Sequence, residues 1–159
     1  MTAPMPNTFN PDEYARFIAG LELREIRLVR ANVEGPEMGA GTEIGHLSVH
    51  ADADLITTDA GFVALHDYTV SAHTPNGAET LTLKALFALD FASAQRPGKE
   101  TFDVFGEVNL PVNTWPYLRE FVSSMFARMG WPTVTLPAYK VGIDEREEAD
   151  AAETVVTES

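Results

Sequence analysis

Between Leu81 and Phe91 every second residue is apolar: Leu81, Leu83, Ala85, Phe87, Leu89 and Phe91. A period of two puts all six on one face of a strand, and such a face needs a second layer to cover it. Asn76-Gly77 stands just ahead of this run and is the strongest short hairpin signal a sequence can carry. An antiparallel sheet with one buried face follows. Ile44–Leu55 has the same alternation, with Leu47, Val49, Ala51 and Ala53 facing one way and His46, Ser48, His50 and Asp52 the other. Phe62–Ala72 reads as a strand, as does Leu21–Val33, where Val29, Ala31 and Val33 oppose Arg30 and Asn32. The segment Glu34–Glu43 contains Pro36 and three glycines and reads as a loop.

Helices flank these strands. Asn10 is placed to cap a short helix that Pro11 opens and Gly20 ends. After Gly98 the period lengthens, and Thr101–Val108 reads as a helical turn or two between Pro97-Gly98 and Pro111. Thr114 then reads as the cap of a second helix, with Pro116 in its tolerant first turn. Trp115, Leu118, Val122, Met125 and Met129 follow steps of three and four, with Phe121 and Phe126 beside them. Gly130 and Pro132 end that helix. The expected class is α+β: a four-stranded antiparallel sheet with a long amphipathic helix on one face. Residues 1–9 are expected to be a flexible lead, 10–142 the domain and 143–159 an acidic disordered tail.

Composition narrows the partners. The chain has 159 residues, 24 acidic against 11 basic side chains, a formal charge of −13 and no cysteine. Asp144–Ser159 alone holds seven acids and one arginine. Such a balance argues against nucleic acid and anionic membrane surfaces as partners. No apolar run approaches a membrane span, and Met1–Pro11 lacks the pattern of a signal peptide, so a cytoplasmic protein is expected. Catalytic chemistry finds no support. His46 and His50 are four apart, which on a strand is about 13 Å and too far for one metal ion. The glycines of Gly39-Ala40-Gly41 precede no Lys-Ser/Thr pair, so no phosphate loop is present. No metal, no cofactor and no enzymatic activity are expected.

The unusual feature is apolar. Phe121, Met125, Phe126, Met129, Trp131, Val134 and Leu136 crowd one short stretch. Most of these serve as core, yet the stripe is wide for one face of a two-layer domain. An apolar excess on a small domain points to an oligomer interface or a groove for other chains.

Here the residues resemble a family. Trp115-Pro116-Tyr117-Leu118-Arg119-Glu120, Ser124-Met125, Arg128, Trp131-Pro132 and Thr135-Leu136-Pro137 look like the signature of SecB export chaperones. Leu23-Arg24-Glu25-Ile26-Arg27-Leu28, leading to Val33-Glu34-Gly35-Pro36, is similar to the family's opening strand. The resemblance implies an ATP-independent holdase, assembled as a homotetramer (a dimer of dimers), that holds unfolded client polypeptides in apolar grooves. At the matching positions, Phe126, Met129, Trp131, Val134 and Leu136 are candidates for the groove wall, with Val33 and Met38 on its other side.

Departures from the family pattern qualify the role. The family's second helix and basic end are replaced by a short Pro137–Gly142 and an acidic tail. Where its face for the motor SecA carries two carboxylates, the matching positions hold Arg30 and Ala85, so SecA docking is expected to be weak or absent. A subset of SecB-like proteins serves toxin–antitoxin systems by guarding an antitoxin, and that dedicated role is the alternative to protein export. The rival from another class is an acidic α+β ligand-binding or enzymatic domain, which requires a closed pocket with converging polar groups.

Overall fold

In a computed structural model that describes residues 9–36 and 43–139, the chain runs α1 (Pro11–Ala19), β1 (Glu22–Glu34), β2 (His46–Thr57), β3 (Gly61–His73), β4 (Glu79–Ala92) and α2 (Lys99–Arg128). The strands form one sheet in the order β1-β4-β3-β2, each neighbouring pair antiparallel. β2, β3 and β4 are a meander, and β1 joins on the far side of β4. Gly77, at φ +88, makes the turn before β4, where the Thr74 N–H donates to the Ala78 carbonyl at 2.8 Å. That positive φ explains the glycine after Asn76.

The register builds the expected buried face. Phe62, Ala64, His66, Tyr68, Val70 and Ala72 of β3 lie opposite Phe91, Leu89, Phe87, Ala85, Leu83 and Leu81 of β4. None of these twelve exceeds 3% exposure. α1 adds Phe17, whose ring lies 6.0 Å from Phe62 and 5.8 Å from Phe105. Asn10 caps α1 as expected, accepting from the Asp12 N–H at 3.0 Å. The Tyr14 hydroxyl pins the same helix by donating to the Asn109 side chain, and burial pushes the Tyr14 pKa up to about 12.

α2 departs from expectation. It is one helix of 30 residues, about 45 Å long, with Pro111 and Pro116 inside it. Thr114 is therefore an interior residue, fully buried, and not a cap. A proline removes the N–H that would bond the carbonyl four residues back, which orphans Glu107 and Val112. The Glu107 carbonyl receives the Tyr139 hydroxyl at 3.0 Å instead. That compensation comes from 32 residues down the chain, so a local pattern does not reveal it.

β1 also differs in detail. Arg24 and Val29 are extra residues at register shifts between Leu23 and Glu25 and between Leu28 and Arg30. Each shift resets the alternation. The helix-side residues of β1 are therefore Leu23, Ile26, Leu28, Ala31 and Val33, while Glu25, Arg27, Arg30, Asn32 and Glu34 face the open side. The acidic tail and most of the lead fall outside the described residues.

Candidate functional site

Four of the seven residues expected to wall a groove sit in the chain's own core. Phe126, Trp131, Val134 and Leu136 are each 5% exposed or less. Phe126 lies in the last turn of α2, and the other three belong to a strap, residues 131–139, that folds back along the helix. The Trp131 N–H donates to the Phe126 carbonyl at 2.9 Å. Arg119 Nε then donates to the Leu136 carbonyl at 2.7 Å, and Trp115 Nε1 to the Pro137 carbonyl at 2.6 Å. Trp115, Arg119 and Pro137 of the motif thus fasten the strap, whereas Pro116, Tyr117, Glu120 and Pro132 are exposed. Val33 and Met129 are half-buried against the core, and Met38 lies outside the described residues.

The exposed apolar surface lies elsewhere. α2 lies over β2, β3 and β4, and β1 extends beyond its cover. Leu23 and Leu28 consequently stay 38% and 44% exposed on the helix side, with Val29 at 52% in its bulge. Phe87 of β4 links this strand to the helix. Leu28 is its register partner, and the Tyr117 ring of α2 lies 6.4 Å from it with the residue 51% exposed. Leu28 and Tyr117 therefore flank one buried ring, giving an apolar shelf with β1 as its floor and α2 as its wall. β1 is also an edge strand, so its outer backbone groups face outward and can receive another extended chain.

Leu23, Leu28 and Val29 do not figure among the residues expected to line a groove. The signal that would have found them is the combination of strand order and bulges, neither of which a single sequence displays.

The open side of the sheet is polar around Arg30, whereas toward β2 it carries Ile56, Val63 and Leu65. Arg30 lies 3.7 Å from Asp67, both well exposed, and the shallow concavities there are lined by Asn32, Thr69 and Lys84 among others. Ala85 does not belong to this side: it is fully buried, facing α2. Counting from Glu79 misplaces it because Thr80 is an extra residue at the start of β4. The open-side neighbours are Lys84 and Leu86, and neither is acidic. Among the described residues, no group of three His, Asp or Glu side chains is placed to hold a metal.

Comparison with solved structures settles the fold. The chain superposes on the Mycobacterium tuberculosis SecB-like chaperone Rv1957, solved in complex with a ChAD peptide from the Rv1956 HigA1 antitoxin. The TM-score is 0.64 at 19% identity, covering 81% of this chain and 97% of that one. This is the SecB-like fold. No family model and no curated protein matches the sequence. What the SecB-like fold shows here is a four-stranded antiparallel sheet under one long helix, with an uncovered apolar edge. No helix among the described residues is long and apolar enough to cross a membrane.

Proposed function

We propose that this chain is an ATP-independent chaperone, a holdase of the cytoplasm, that captures non-native polypeptide on the shelf formed by β1 and α2. The observation that carries this reading is the exposure of Leu28 beside Tyr117, with Leu23 farther along the same side of β1, on a SecB-like fold. An extended client would add hydrogen bonds along the edge of β1 and seat alternate side chains against the shelf. Each large apolar side chain it buried would contribute about 1.5–3 kcal/mol. No catalytic step is involved. Capture and release rest on contact area, and the net acidity keeps an adhesive surface soluble.

Within this reading we favour a dedicated client of the antitoxin kind over general export. The structural neighbour was solved with an antitoxin peptide, and the open side of this sheet offers Arg30, Lys84 and Leu86 where a basic motor would need carboxylates. Assembly as a tetramer accompanies the proposal through the family resemblance. The purified chain is expected to suppress aggregation of an unfolded client at near-stoichiometric ratios, with or without ATP, and Leu28→Asp with Tyr117→Asp to abolish that suppression while keeping the fold. Light scattering that finds a stable 17.4 kDa monomer, or full suppression by the double variant, would remove the basis for it.

A further inference from the structure

His66 lies on the helix side of β3 and is 2% exposed. Its Nδ1 is 2.8 Å from Thr114 Oγ1 of α2, and the Tyr68 hydroxyl is 2.7 Å from the same oxygen. Thr114 donates its own hydrogen to the Leu110 carbonyl at 2.9 Å. A hydroxyl has one hydrogen to give, so toward His66 and Tyr68 it accepts. His66 is therefore the tautomer with its proton on Nδ1, and Tyr68 is the second donor. Thr114 stands between Pro111 and Pro116, the stretch of α2 whose own hydrogen-bond ladder is missing two rungs. The middle of the helix is thus held to the sheet where it is least held to itself.

We propose that the Thr114 hydroxyl is an acid-labile clasp, and that protonation of His66 frees the 111–116 section of α2 from the sheet while the flanking parts of the helix remain folded. Protonation adds a hydrogen at Nε2 and leaves the Nδ1–H on Thr114, so the charge itself is what the site does not accommodate. Across β2 the register partner is Ala53, with Ala51 and Leu55 as its helix-side neighbours; across β4 it is Phe87, between Ala85 and Leu89. α2 presents Thr114 with Leu110 and Leu118, and β3 itself presents Tyr68. Tyr68 is the titratable group in that set and none of its members is a carboxylate. A charge there would be buried and unpaired.

The sign follows from burial, which pushes the His66 pKa down from 6.5 to about 4. With the clasp closed the ring resists protonation; with it open the ring titrates near its ordinary value. Opening is therefore independent of pH above about 7 and becomes easier as pH falls from 6.5 toward 4, by roughly 70-fold at about pH 4.5. The device depends on the fold alone and not on what the chain binds.

Hydrogen exchange of the full chain, followed by mass spectrometry at pH 7 and about pH 4.5 and corrected for intrinsic rates, tests it. Amides of residues 107–119 are expected to lose protection by roughly 70-fold in acid, while β4 and residues 120–128 keep theirs. His66→Asn places a non-titrating N–H where Nδ1 stands and is expected to abolish the acid response. Thr114→Val is expected to open the same section at both pH values. Should His66→Asn fail to fold, His66→Gln takes its place. Uniform loss of protection across all elements, or an acid response that survives the His66 substitution, would overturn the clasp.

Discussion

β1 and β4 run side by side, and both turn apolar residues toward the same side of the sheet. On β4 those residues are Leu81, Leu83, Ala85, Phe87, Leu89 and Phe91, none more than 3% exposed; on β1 they include Leu23 and Leu28, at 38% and 44%. The difference is one strand spacing, about 5 Å, across which the long helix no longer reaches. Alternation in a sequence reports which face a side chain takes. It does not report whether anything lies above that face. An inward row of apolar residues therefore makes core in one strand and exposed surface in its neighbour.

The sharpest way to break this comparison is to shorten one leucine on each strand. Leu89→Ala on β4 is expected to cost about 2–5 kcal/mol, because the cavity it leaves is enclosed. Leu28→Ala on β1 is expected to cost under about 1 kcal/mol in urea unfolding and to weaken client capture instead. Similar losses of stability at the two sites would show that β1 is covered in solution, by a second copy or by another segment of the chain.

How much of this was legible beforehand divides along the same line. The helix side of β2 and β4, the existence of β3 and the hairpin at Gly77 were readable, since period-two alternation and a glycine turn are local signals. The inner phase of β1 was not, because the bulges at Arg24 and Val29 reset the count. The length of α2 was hidden by Pro111 and Pro116, which end most helices; at Pro111 the carbonyl left free is met by the hydroxyl of Tyr139. The resemblance to SecB chaperones led to the right fold. Core and groove share a composition, however, so Phe126, Trp131, Val134 and Leu136 carried no mark of their burial.

A second way to sharpen the comparison is to press where β1 leaves the open region and meets the covered one. A Cβ on Gly35 would come within 2.8 Å of Trp131 Cζ2 and 3.1 Å of Leu81 Cδ1. Gly35→Ala is expected to cost about 1–3 kcal/mol through overpacking and to shift the Trp131 emission. An unchanged unfolding midpoint would mean that the strap does not close over the end of β1.

A smaller effect is expected at the strap's other end. Tyr139→Phe removes the donor that satisfies the Glu107 carbonyl, at a cost of about 1 kcal/mol. Pro111→Ala restores an N–H to that carbonyl, so in its background the loss of the tyrosine hydroxyl is expected to matter less, by about 0.5–1 kcal/mol in a double-mutant cycle. Purely additive effects would show that the proline and the strap are not coupled.

The smallest effects on folding belong to the open side of β1, and there the comparison turns from covered against uncovered to one face of a strand against the other. Arg30 and Asp67 are 3.7 Å apart with side chains 70% and 46% exposed. A pair so wet contributes at most about 0.5 kcal/mol, so Arg30→Asp is expected to leave stability nearly unchanged. Its consequence lies in docking. A docking segment that in the family meets carboxylates would here meet Arg30 and Lys84, and like charges facing one another across an interface cost several kcal/mol by rough reckoning. Wild-type chain is therefore expected to bind SecA weakly at physiological salt, and Arg30→Asp with Lys84→Glu to bind it measurably better. Lys84 replaces Ala85 in this test because Ala85 is buried beneath α2, where a carboxylate would damage the core without reaching a partner. Tight binding by the wild type that the double change leaves unimproved would place the motor on another surface and return export to the account. Weak binding that the change strengthens would show that the charge of Arg30 and Lys84 on the open side is what refuses the motor.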